Sequence, residues 1–262
     1  MHTLFGVASS SGDDDLRGAQ FTDRDMHGAQ FRMVDLRDSW FRIVDLRGVH
    51  MRGVALVDAD VDGEIEGLRI WGVEVAPLVE AELDRRHPER VVLRATEPAD
   101  LRAGWAGLEA MWAVTVDRVA SMAPGTQDLS VEDEWSFAQT LRHLVLATDV
   151  WLGWAILRRE HQFHPLGVLF SEAAGREAEF GLEVEATPSY AEVLDARAGR
   201  VAMVRDYLGA VTAEELAATR ANPWGGEWQP SVLDCLRVIF EEEWHHHRFA
   251  VRDIDAIEAR RA

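Results

Sequence analysis

Near the C-terminus three carboxylates run directly into three imidazoles: Glu241, Glu242, Glu243, Trp244, His245, His246, His247, then Arg248. On a helix, residues four apart share a face. Glu243 then neighbours His247, and Glu242 neighbours His246. A carboxylate and an imidazole one turn apart can both bind one divalent cation. A third ligand from another helix makes an open metal site. The best third ligand is His143, which lies between Leu141 and Leu144 in FAQTLRHLVLATDVWL. A lone histidine among apolar residues is ordinarily a hydrogen-bonded core residue. The Glu/His pairs on the last helix are what turn it into a candidate ligand.

Apolar residues recurring at three and four positions predict the helices that must carry these side chains. They cover about 98–122, 133–160, 189–209 and 231–260. Pro98 opens the first, where a missing N–H costs nothing. Ser130 with Asp133 suggests a capping box near the start of the second. Ser189 with Glu192 opens the third, and Ser231 opens the fourth. Thr212 and Glu215 mark a small extra helix. Four such helices make an all-α bundle, and facing helices build metal sites in bundle cores.

Ahead of the bundle a different rhythm runs. Leu16, Phe21, Met26, Phe31, Leu36, Phe41, Leu46, Met51, Leu56 and Val61 recur every five residues. Small or β-branched residues sit two places before most of them, from Ala19 to Ala59; Asp14 and Arg24 break that rule. A five-residue step turns a helix by about 140°, and it flips faces on a strand. The beat therefore needs a coil whose flat sides recur every five residues. Four sides give a square solenoid of two to three coils over residues 14–63, which needs caps at its ends. Residues 64–75 look extended, 76–86 look like a short helix stopped before Pro88, and 64–97 form a connector. The organisation is thus 1–63 repeats, 64–97 connector or cap, 98–262 bundle.

Composition removes several chemistries. All 27 basic residues are arginine. Without lysine there is no Schiff-base chemistry and no phosphate-loop nucleotide site. The formal charge of −19 repels phosphate backbones, so nucleic acid is not expected as a partner. No apolar run approaches the ~20 residues that span a bilayer, so no membrane partner is expected. The first residues lack the features of a secretory signal, and Cys235 is the only cysteine. A cytoplasmic protein is expected.

Two family resemblances follow from these motifs. The five-residue beat resembles the pentapeptide repeats, whose fold is a right-handed quadrilateral β-helix; in this chain it implies a packing or dimerisation module and a homodimer. TLRHLVLATDVW followed by EEEWHHHRFAVRDI resembles the DinB-like superfamily of metal-binding four-helix bundles. That resemblance implies a triad of one histidine on the second helix and a histidine or glutamate one turn before a histidine on the last. The family's final ligand is typically followed directly by arginine or another polar residue. This phase selects His143, Glu243 and His247 as the metal ligands. Chemistry alone leaves Glu242 with His246 open, because both pairs continue apolar stripes: Val232, Leu236 and Ile239 for one, Cys235 and Val238 for the other.

Three protein ligands leave a position free on a zinc-like ion, whereas structural zinc is usually closed by four. The resemblance implies a divalent metal, zinc or nickel, and a low-molecular-weight thiol of the mycothiol or bacillithiol type. It implies a metal-dependent transferase or isomerase acting on a small molecule, with a non-catalytic metal-binding scaffold as the alternative. Trp224 and Trp228 are candidates to wall the pocket mouth. Asp149 is a candidate to orient a ligand, against a plain exposed carboxylate. His161 and His164 have loose loop spacing, and Cys235 is expected to be a small core residue.

Overall fold

The computed structural model describes residues 15–159, 163–170, 175–183 and 186–260. The chain divides into two compact units, Met1–Asp62 and Gly63–Ala262.

In the first unit the five-residue beat reappears in the backbone. Positive φ recurs at Gly18, Asp23, Gly28, Met33, Asp38, Ile43, Gly48, Gly53 and Asp58. Tight turns close locally, as where the Ala29 N–H donates to the Met26 carbonyl at 2.9 Å. The expected quadrilateral β-helix is not shown. Among the described residues this unit has no strand, and its backbone hydrogen bonds span only turns. A β-helix must pair successive coils and shield its inner residues. Here the centre residues are exposed, from 43 % at Met26 to 70 % at Val61.

The second unit opens with a hairpin of β1 (Arg69–Ile70) and β2 (Val73–Glu74). Trp71 and Gly72 both have positive φ, the backbone that suits a two-residue turn between twisted strands. Helix α1 (Ala76–Arg86) follows, with proline in its first turn, then a 3₁₀ segment, Pro88–Arg94. Arg90 is buried here. Its guanidinium bonds Glu80 at 2.6 Å and Asp84 at 2.9 Å, and lies 4.6 Å over the Trp244 ring.

Helices α2 (Pro98–Ser121), α3 (Phe137–Thr148), α4 (Tyr190–Ala210) and α6 (Val232–Ala259) form the bundle, with a short α5 (Ala213–Leu216) between the last two. Neighbours around the bundle are α2–α4, α4–α3, α3–α6 and α6–α2. Capping boxes at Ser189 and Ser231 start α4 and α6 as expected. The start of α3 differs. Its capping box is Ser136 with Gln139, while Ser130 donates to the Glu134 carbonyl in a preceding turn. Glu132 and Asp133 sit there at positive φ, outside any helix. Beyond Thr148 the helix widens into a π-helical run, Asp149–Ile156, where the Leu157 N–H reaches back five residues to the Leu152 carbonyl.

The core joins Leu101, Trp105, Leu108, Leu152, Val204, Leu208, Leu236 and Phe240, with Trp105 stacked on Phe240. Gly104 lets α2 approach the 3₁₀ segment. A Cβ there meets the Val92 side chain at 1.6 Å. Gly104→Ala is therefore expected to lower stability by about 1–3 kcal/mol through overpacking, read as a fall in the unfolding midpoint. Cys235 is fully buried, and burial pushes its thiol up to about 11. Expected behaviour is resistance of native protein to thiol reagents at neutral pH and prompt reaction once unfolded, measured by colorimetric thiol titration.

Candidate metal centre

Ser231 starts α6: its hydroxyl accepts the Asp234 N–H at 3.1 Å while Asp234 accepts the Ser231 N–H at 2.9 Å. From that start the inward stripe runs through Val232, Leu236, Ile239, Phe240, Glu243, Ala250 and Ile254, all buried. Glu242 and His246 lie about 100° to one side, facing α3. There they meet His143. The Glu242 Oε2 atom is 3.0 Å from His246 Nε2 and 3.3 Å from His143 Nε2.

His143 is buried, and its other ring nitrogen, Nδ1, lies 3.0 Å from the Val168 carbonyl oxygen. A carbonyl only accepts, so this contact puts the proton on Nδ1. The Nε2 lone pair is left directed at Glu242, the arrangement metal-binding histidines normally have. The Trp135 ring covers both imidazoles, with centroids 4.6 Å from His143 and 5.8 Å from His246. Glu242 and His246 keep partial exposure, so one side of the group stays open to solvent.

One donor atom from each of His143, Glu242 and His246 falls within 4.8 Å of the others. Among the described residues this is the only group of three such donors. Ligand atoms at about 2.0–2.1 Å around a tetrahedral ion stand roughly 3.3–3.4 Å apart, close to the spacings found. Burial works against the Glu242 carboxylate, but the adjoining His143 and His246 imidazoles outweigh it and hold the carboxyl well below its ordinary range. These residues could hold a divalent cation with a position to spare.

The structure does not bring Glu243 and His247 to His143. Their placement has a plain cause. Glu243 occupies the innermost stripe of α6, 1 % exposed, and pairs there with the Arg197 guanidinium of α4. Burial pushes the Glu243 carboxyl up while Arg197 pulls it down. The Trp112 indole N–H is near enough to lower it further without completing a hydrogen bond to Oε1. His247 turns to α2. Its Nε2 lies 2.8 Å from Thr115 Oγ1, its ring stands edge-on to Trp112, and burial pushes the imidazole down to about 4.

Other candidates also resolve. Trp224 packs against Phe170 and Phe180, and Trp228 lies against Trp151, so neither covers the His–Glu–His group. Asp149 is buried rather than exposed. It takes two bonds from Arg200, at 2.8 and 3.0 Å, and the His164 backbone N–H at 2.8 Å. His164 accepts the Leu166 N–H, and His161 lies outside the described residues. The residues that sequence reasoning missed are Trp135 and Arg197. Arg197 carried a usable signal: an arginine in phase with Val193, Val204 and Leu208 on α4 demands a buried carboxylate on a facing helix.

A family model described as the DinB superfamily matches residues 74–250. No curated protein and no solved structure matches the chain.

Proposed function

This chain belongs to the DinB superfamily, and on that premise we propose that it is a metal-dependent protein whose His143, Glu242 and His246 hold one divalent cation, zinc or nickel. The observation that carries this reading is the convergence of three donors from α3 and α6, with His143 already oriented by the Val168 carbonyl. Members of the superfamily commonly bind metal. A cation held by two imidazoles and one carboxylate supplies a Lewis-acid position that favours the deprotonated form of a bound thiol or water.

The chain's own groups define the surroundings of that position. Glu242 contributes the negative charge of the three donors, its Oε2 lying 3.3 Å from His143 Nε2 and 3.0 Å from His246 Nε2. Trp135 walls one side and restricts water there. The reaction class is transfer or isomerisation of a small molecule by a low-molecular-weight thiol. The test is cobalt substitution. Adding such a thiol to the cobalt-loaded protein is expected to produce a sulfur-to-metal charge-transfer band that saturates. An unchanged spectrum at saturating thiol defeats thiol activation.

A second reading, a metal-binding scaffold, is favoured by one observation. The repeat stretch leaves Trp40, Phe21, Phe31 and Phe41 largely exposed, and apolar surface of that extent marks contact with another molecule. In this reading the pentapeptide repeats mediate self-association as a homodimer. Removal of residues 1–63 then yields a monomer by light scattering; an unchanged mass removes the repeats from assembly.

A further inference from the structure

A pocket of about 360 Å³ lies where the π-helical run ends. Its walls are Trp154 and Ala155 from that run, Arg158 and Arg159 just after it, and Ala221, Asn222 and Pro223 from the loop before α6. This volume is in the range of small-molecule sites. Trp154 is eleven residues beyond His143, roughly 16 Å further along the helix, so the pocket is separate from the candidate metal centre.

Its charge is unusual for this chain. Acids outnumber arginines 46 to 27, and several bundle arginines are matched with carboxylates: Arg197 with Glu243, Arg200 with Asp149, Arg205 with Glu109, Arg118 with Asp255 and Glu258, while Arg102 and Arg142 bond the Leu208 and Leu166 carbonyls. At the pocket the pattern breaks. Arg158 has no side-chain partner among the described residues, and the Arg159 guanidinium touches only the Met203 sulfur, at 3.2 Å. Sulfur is a weak acceptor, and no carboxylate among the described residues is paired with either cation.

The rest of the pocket is set. Trp154 is 39 % exposed, and its ring is held edge-on by Phe163 at 5.8 Å. The Asn222 amide is committed to its own turn, accepting the Trp224 N–H and donating to the Gly225 carbonyl. Arg158 has a φ of +51°, a conformation that a side chain rarely adopts and that costs of order 1 kcal/mol or more. Runs of π-helix occur frequently at functional sites.

We infer that this pocket binds a small organic anion, a carboxylate or phosphate on a flat apolar body, with Arg158 and Arg159 holding the charge and Trp154 receiving the flat face. Arginine suits both anion classes because its planar fork can make two parallel bonds. The surrounding negative field disfavours anions in general, so affinity here must come from these two side chains.

The test is calorimetric titration of the full-length, zinc-treated protein with benzoate, phenyl phosphate, inorganic phosphate and benzamide. Benzoate or phenyl phosphate is expected to bind saturably at one site, inorganic phosphate more weakly, and benzamide not at all. The R158Q/R159Q double variant is expected to weaken the bound anion by about tenfold or more, the value of one or two charge-assisted bonds, at unchanged melting temperature. His143→Ala is expected to leave that affinity unchanged, which separates this pocket from the metal centre. Binding undiminished in the double variant, benzamide binding equal to benzoate, no saturable binding of either aryl anion, or loss of binding in His143→Ala each overturns the inference.

Discussion

Glu242→Ala is expected to abolish stoichiometric zinc binding, while Glu243→Gln retains it. Glu242 is the donor shared by both imidazoles, at 3.0 and 3.3 Å, so its removal leaves two histidines and no negative charge. Losing even a group that merely supports a ligand costs 10–100-fold in affinity; losing the central ligand is expected to cost at least about 100-fold. His143→Ala and His246→Ala are expected to fall in the same class. Glu243→Gln and His247→Ala change residues that face α4 and α2, so their zinc affinity is expected to stay within about threefold of the parent. Equilibrium dialysis with elemental analysis reads all five. The opposite ordering, with Glu243→Gln losing metal and Glu242→Ala keeping it, restores the register suggested by family phase.

The second large effect is on stability. Arg197→Met leaves Glu243 ionisable and alone in the bundle core. Breaking a buried ion pair from one side costs about 3–5 kcal/mol, and for a unit of this size the melting temperature falls by roughly 6–20 °C. The double variant Arg197→Met with Glu243→Leu removes both charges and is expected to recover most of that loss, because apolar side chains of similar volume fill the space without a desolvation penalty. Zinc stoichiometry in the double variant is expected to remain one per chain. A single variant as stable as the parent shows that the pair is not buried as described. A double variant no more stable than the single shows that packing, rather than charge, sets the cost.

The helices were legible because each signal was local: Pro98, Ser189 with Glu192, and Ser231 each mark an observed helix start. The start of α3 was misread because Ser130 and Asp133 mimic a cap, while Ser136 with Gln139 forms the actual one. The π-helical widening after Thr148 left no local signature; it opens at Asp149, which is buried against Arg200 and the His164 backbone.

At the site, His143 and the acidic–histidine run were legible by residue type, and the pairing between them was not. Two adjacent stripes of α6 are both apolar, so spacing could not choose. The choice was made across the bundle, by Arg197 claiming Glu243 and by Thr115 claiming His247. In the repeats the beat was legible and returned as positive φ at five-residue intervals. Coil-to-coil pairing depends on contacts between distant residues, and the beat carried no information about whether those contacts form.

The most direct measurement is anomalous diffraction at the zinc edge from crystals of the zinc-loaded protein. The account predicts one strong peak within about 2.0–2.2 Å of His143 Nε2, His246 Nε2 and a Glu242 carboxylate oxygen. A peak between Glu243 and His247, or none near His143, contradicts it.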